Sequence, residues 1–237
     1  MKKLLIASAV LVAAGVGYYV MKPGAPGSGA SLLSAKSGPL DHVPADTAFV
    51  FANVEPMPKA VTQAWMEQFA QVSGIYAMQA KMAEEALAKE DPNGQGVKWM
   101  RALAAEAKDR TAEQIMTELG IDMQMRYAMY EVAARPVLRF ELADPAKTRA
   151  FIARVEQNAG DKVPTAKVDT LDYWNFADPK GEGRLVAAID GSQLVVAFLT
   201  STQDDAALRD ALGLNPLKQS LAACAIMLGL GFVVASV

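Results

Sequence analysis

The chain predicts an α+β fold, an antiparallel sheet with helices packed on one face. Three observations carry this. Runs of aromatic and β-branched residues are separated by turn signals, of which Asp190-Gly191 between 184–189 and 193–199 is the clearest hairpin. Longer segments repeat apolar residues at three- and four-residue steps, as helices do. The elements fall in the order β-ααα-ββ-α-βββ-α, grouped by type, where a parallel sheet would alternate them. A β-α-β-β unit can be read twice in that order, so the chain admits a duplication, though its halves share no visible identity.

Taken in order, residues 47–54 (Thr-Ala-Phe-Val-Phe-Ala-Asn-Val) follow a Pro-Ala-Asp turn and read as a strand that Pro56 and Pro58 end. A helix runs from there to about Lys89, with Val61, Trp65, Phe69, Val72, Tyr76 and Met82 forming one apolar stripe. Asp91-Pro92-Asn93-Gly94 breaks it. A second helix over 97–108 turns Met100 and Leu103 inward. Thr111-Ala-Glu-Gln114 is a capping box for a third, which stops at Gly120. Residues 126–132 and 136–142 are adjacent strands. In the second, Leu138, Phe140 and Leu142 alternate with Val137, Arg139 and Glu141, as on a sheet with one wet face. Asp144-Pro145 opens a helix that turns Phe151, Ile152 and Val155 inward and closes at Gly160. Three strands follow, 163–176, 184–189 and 193–199, the first being the least regular. A last amphipathic helix covers 202–212.

The two ends differ from this body. No Lys, Arg, Asp or Glu occurs over 4–21, and none follows Lys218. A helix needs about 20 apolar residues to cross a hydrocarbon core of roughly 30 Å. Met1-Lys2-Lys3 ahead of the first run is the layout of an export signal. Tyr18 and Tyr19 stand where an interface belt would, and the nearest small-x-small site, Ser28-Gly29-Ala30, lies far past the apolar core. An uncleaved signal-anchor over 1–21 is favoured over a cleaved peptide, with Lys2 and Lys3 cytoplasmic and the bulk in the periplasm of a bacterial cell. Residues 22–39 read as a Gly/Ser/Pro linker, 40–214 as the extracytoplasmic domain, and 215–237 as an apolar terminal segment. That last segment has three readings: a second membrane helix, a buried terminal element, or an aberrant tail. Asn215-Pro216 would be its helix start.

Composition then removes several function classes. From Pro39 onward, 19 basic residues stand against 26 acidic ones, a balance of −7. Nucleic acid as a partner would need a basic face, so none is expected. The same balance argues against adhesion to anionic lipid by charge. The single cysteine, Cys224, permits no internal disulfide, and no cysteine follows the first apolar run to carry a lipoprotein anchor.

The segment 40–56 (Leu-Asp-His-Val-Pro-Ala-Asp-Thr-Ala-Phe-Val-Phe-Ala-Asn-Val-Glu-Pro) resembles the opening of a group of bacterial membrane-anchored envelope proteins. Those begin with an export signal or anchor, then a Val/Tyr-Pro-Ala-Asp-Thr turn into an aromatic strand. The resemblance covers seventeen residues and the general layout. It implies a periplasmic domain and brings no catalytic residues with it.

No cofactor motif is present. His42 is the only histidine, which removes multi-histidine metal sites. Asp41 and Asp46 could orient its imidazole, but all three precede the first strand in a Pro-containing loop that Asp46 and Thr47 shape. Gly94-Gln-Gly96 and Gly181-Glu-Gly183 lack the strand and Lys-Ser/Thr of a phosphate loop. Glu84-Glu85 and Asp204-Asp205 are sequence neighbours, which do not share a helix face. The eight Met residues between 66 and 129 suit irregular packing or an adaptable groove. Tyr173, Trp174 and Phe176 form the one aromatic cluster. In a strand Trp174 and Phe176 point one way and Tyr173 the other, so one set is core and the other a candidate ligand or partner patch. The expectation is a non-catalytic, membrane-anchored domain that binds another envelope protein. The alternatives are a hydrolase with dispersed active-site residues and a small-ligand or lipid carrier.

Overall fold

The structure, a computed structural model, describes residues 38–220 except 55, 57, 134, 178–182 and 201–204. The side chains of Trp65, Phe69, Val72, Tyr76 and Ala177 are likewise outside it. The expected anchor over 1–21, nearly all of the linker and the apolar run 221–237 therefore lie outside the described residues. No helix among the described residues is long and apolar enough to cross a membrane. The fold is α+β, with a seven-stranded open antiparallel sheet. The chain divides into two compact units, one built on the sheet and one of helices.

The sheet unit contains β1 (Val50–Asn53), β2 (Tyr127–Val132), β3 (Arg135–Glu141), β4 (Thr165–Val168), β5 (Leu171–Ala177), β6 (Gly183–Asp190) and β7 (Gln193–Thr200). Their order across the sheet is β1-β2-β3-β7-β6-β5-β4. Strands β4 to β7 follow one another without an intervening helix and form a meander. The expected strand over 163–176 is a hairpin, β4 and β5, paired from Thr165↔Trp174 to Val168↔Leu171. Its turn holds Asp169 at φ 52. Asp tolerates that left-handed backbone better than most residues, so a turn formed without the usual glycine. At the predicted hairpin, Asp190 and Gln193 pair across Gly191, whose φ is 58.

One sheet face forms the main core. Every second residue of β7 is buried (Gln193, Val195, Ala197 and Leu199), and Val186 and Ala188 of the neighbouring strand join them. A 3-10 turn over Pro39–His42 and the helix Asp205–Leu212 pack on this unit. They insert Leu40 beside the turn's end at Val43, and Leu208, Ala211 and Leu212. Each such aliphatic side chain contributes about 1.5–3 kcal/mol by leaving water. The alternation along β3 is the reverse of the expected one. Val137 and Arg139 are buried, whereas Leu138 and Phe140 are half-buried. Arg139 has no exposed surface at all. Asn215-Pro216 does not open a helix within the described residues. The Asn215 amide instead turns back and donates to Asp210 Oδ1 at 2.6 Å.

The helical unit comprises α1 (Lys59–Glu90), α2 (Gln95–Ala107), α3 (Ala112–Glu118) and α4 (Pro145–Ala159), the helix Asp205–Leu212 of the other unit being α5. The capping box that opens α3 is formed: Thr111 Oγ1 accepts from the Gln114 amide at 3.2 Å, and Gln114 Oε1 accepts from the Thr111 amide at 2.8 Å. Phe151, Val155 and Ala159 of α4 close a small core with Ala102 of α2, flanked by Trp99 and Leu119. The inward face of α2 is Val97, Ala102 and Glu106, while Leu103, expected inside, is exposed. The register differs because buried Glu106 is neutralised in place. It accepts from Arg110 at 2.9 Å, from Asn158 at 3.0 Å and from Arg154 at 3.4 Å.

Candidate functional site

α1 is the element whose surface the packing does not explain. At 32 residues it extends about 48 Å. Four of its large apolar side chains stand in solvent: Val61 at 45 %, Ile75 at 53 %, Met78 at 58 % and Met82 at 61 % of full exposure. Val61 and Met82 belonged to the expected inward stripe, and the structure removes them from it. At 3.6 residues per turn the four fall within an arc of about 100°. They thus share one face, which scattered surface residues would not. Written as a heptad repeat, Val61, Gln68, Ile75 and Met82 recur at one seam position, and Ala64, Gln71, Met78 and Glu85 at the other. The stripe is flanked by Glu67, Gly74 and Lys81, again seven apart. Glu67 accepts from Gln63 of its own helix at 3.3 Å. Summed hydrophobicity gave no sign of this face, because glutamines and alanines interrupt it. The heptad spacing was the signal in the sequence that could have found it.

The second feature is the buried polar cluster around Arg139. Its Nη1 donates to Gln193 Oε1 at 2.9 Å and to Asp190 Oδ2 at 3.2 Å, and its Nη2 donates to the Leu212 carbonyl at 2.7 Å. His42 lies against the same guanidinium. Burial first, and then the charge of Arg139, hold its imidazole below the usual 6.5, against the opposite pull of Asp190, Asp41 and a hydrogen bond with the Gly213 backbone. The Tyr130 hydroxyl is buried beside Arg139, and among the described residues no partner meets it in good hydrogen-bond geometry. Burial raises its pKa, and the neighbouring positive charge of Arg139 partly offsets that. A neutral histidine could act as a base only with a nucleophile in reach. No hydrogen bond joins His42 to a serine, threonine or tyrosine hydroxyl among the described residues. The cluster ties β3, the β6–β7 hairpin, the end of α5 and the 3-10 turn into one buried junction.

A cavity of about 500 Å³ opens in the sheet unit, with Asp46, Thr47, Glu131, Asp210, Asn215 and Lys218 in its wall. Some of its polar groups are engaged locally, Asn215 with Asp210 at 2.6 Å among them. The Thr47 hydroxyl donates toward the carbonyls of Phe49 and Glu131, each at 3.0 Å, and accepts from the Glu131 amide at 3.1 Å. Pro44, Ala48, Val132, Ala133 and Leu217 make up the rest of the wall, so polar and apolar groups line it in similar measure. Asp46 is thus placed in this wall and His42 in the Arg139 cluster. No group of three metal-ligating side chains occurs among the described residues.

The aromatic cluster splits as its parity predicts. Tyr173 is buried in the sheet core, opposite Ala188. Trp174 and Phe176 lie on the other face and are half-buried, paired with Ala187 and Leu185.

Compared with protein-family models, with curated proteins and with solved structures, the chain matches none.

Proposed function

We propose that this chain is a non-catalytic, membrane-anchored domain of the bacterial periplasm that docks an envelope protein through α1. The observation that carries the reading is the row of solvent-exposed Val61, Ile75, Met78 and Met82 on one helix face. Ile75, Met78 and Met82 adjoin one another on that face, and Val61 continues it beyond Gln68 and Gln71. Exposed apolar side chains gathered on one face of a folded domain mark a place where something binds. Two further features support the anchor. The uncharged run over 4–21 behind Lys2 and Lys3 has the length and charge bias of an inner-membrane signal-anchor. The chain also enters and leaves the sheet unit side by side. Pro44 forms an antiparallel bridge with Ser220, and the Ala45 amide donates to the Gln219 carbonyl at 3.1 Å. The uncharged runs over 4–21 and 221–237, the first joined to that point through residues 22–43, can reach one membrane together.

Fractionation with protease accessibility tests the anchor, on the full chain and on a version ending at Ser220. The full chain is expected in the membrane pellet, its body digested only once the outer compartment is opened. Recovery of the intact chain from the cytosol overturns the anchor. A photo-reactive residue in place of Met78 tests the docking face. It is expected to give a crosslinked protein adduct in native membranes, and its failure to do so overturns the binding role.

A further inference from the structure

We propose that the occupant of the α1 face is α1 of a second copy of this chain, packed antiparallel. The inference deepens the docking reading above and depends on it. Three features select this occupant. The exposed apolar residues all fall on the two seam positions of a seven-residue repeat, which they share with Ala64, Gln68, Gln71 and Glu85. Such a seam is what a helix packed along another helix presents. The flanking charges are complementary only to an antiparallel copy. Glu67 and Lys81 lie seven residues either side of Gly74, so a twofold axis beside Gly74 sets Glu67 of one copy against Lys81 of the other, twice. In a parallel pair the flank position of one helix meets the opposite flank of its mate, and that ion pair is lost. The crossing point is also open. A Cβ added at Gly74 meets nothing within 4 Å, and Ala70 and Ala77 beside it are small. Lipid is the less suitable occupant, because Gln68, Gln71 and Glu85 interrupt the seam with polar groups that a hydrocarbon interior leaves without partners. Membrane attachment would favour the dimer by concentrating the copies in one plane.

The test uses the full chain in isolated membranes, with Cys224→Ser as background. Gly74→Cys with a short bis-maleimide is expected to yield a product of twice the chain mass. Ala60→Cys is expected to yield none, since antiparallel copies place those residues about 42 Å apart along the axis. Glu67→Lys and Lys81→Glu alone are each expected to lower the linked fraction several-fold, and the double exchange to restore it. Rescue by the double exchange is a result that a merely structural role would not give. Absence of the Gly74→Cys product, a product of another mass, linking at Ala60→Cys as well, or indifference to charge reversal each overturns the proposal. So does quenching of a Gly74→Cys fluorophore by lipid-borne nitroxide, which assigns the face to the bilayer. A chain that stays in the membrane without linking refutes the homodimer alone. A chain that links while soluble refutes the anchor alone.

Discussion

A Cβ at Gly213 would stand 2.7 Å from Arg139 Nη2, so the backbone that ends α5 closes directly onto a buried guanidinium. Gly213 has φ 73, a conformation glycine adopts without strain. The same Nη2 donates to the Leu212 carbonyl, one of those a helix end leaves unpaired. One side chain thus caps α5 and anchors it to the sheet.

Removing either partner should show this coupling. Arg139→Ala leaves Gln193 and the Leu212 carbonyl buried without their donor and is expected to cost about 3–5 kcal/mol. Gly213→Ala is expected to cost about 1–3 kcal/mol through its left-handed backbone and the clash. In the Arg139→Ala background the second change should cost less, because the clashing atom is gone. Denaturant unfolding of the four proteins measures this. Strict additivity would mean that the two positions do not meet.

His42 makes the same junction sensitive to acid. In the folded chain its pKa lies below 6.5, so the unfolded chain takes up the proton first. The stability it contributes is fully present above about 6.5 and is lost as the pH falls through the lower folded value. His42→Gln should therefore flatten the decline in denaturation midpoint between pH 7 and about pH 5. An unchanged difference between the two pH values would assign the acid sensitivity to other groups.

Alkali should act through two tyrosines. Burial pushes Tyr127 up to about 12 and moves Tyr130 the same way. Both stay neutral in the fold, so their contribution is complete below pH 10 and is lost as the pH rises towards the folded values. Tyrosinate absorbance of the full chain, which has six tyrosines, should show a late fraction. Tyr127→Phe with Tyr130→Phe should remove that fraction, and its survival would place the late titration elsewhere.

The helical unit has its own buried charge. Glu106→Ala strands parts of Arg110, Arg154 and Asn158 and is expected to cost about 2–4 kcal/mol. Glu118 accepts from the same two arginines at 2.8 and 2.9 Å but is 38 % exposed, so Glu118→Ala should cost about 1 kcal/mol or less. Equal losses in urea unfolding would show that burial does not set the difference.

The strands and helices were legible where local signals were strong: the Asp190-Gly191 turn and the Thr111 capping box. The β4–β5 hairpin was not, because Asp169 turns the chain without a glycine. The candidate docking face was legible only in part. Its heptad spacing is written in the chain, but whether Val61 and Met82 face the core or water depends on what packs beside α1.

Local pattern by itself determined the α+β class, most element boundaries and the uncharged character of both ends, since each reflects backbone preference or transfer from water over a few residues. Only the tertiary structure decided that Arg139 and Glu106 lie inside while Met78 and Met82 lie outside. Burying a charge requires partners distant in sequence. Asp190, Gln193 and Leu212 for Arg139, and Arg154 and Asn158 for Glu106, come within reach only when the chain has folded.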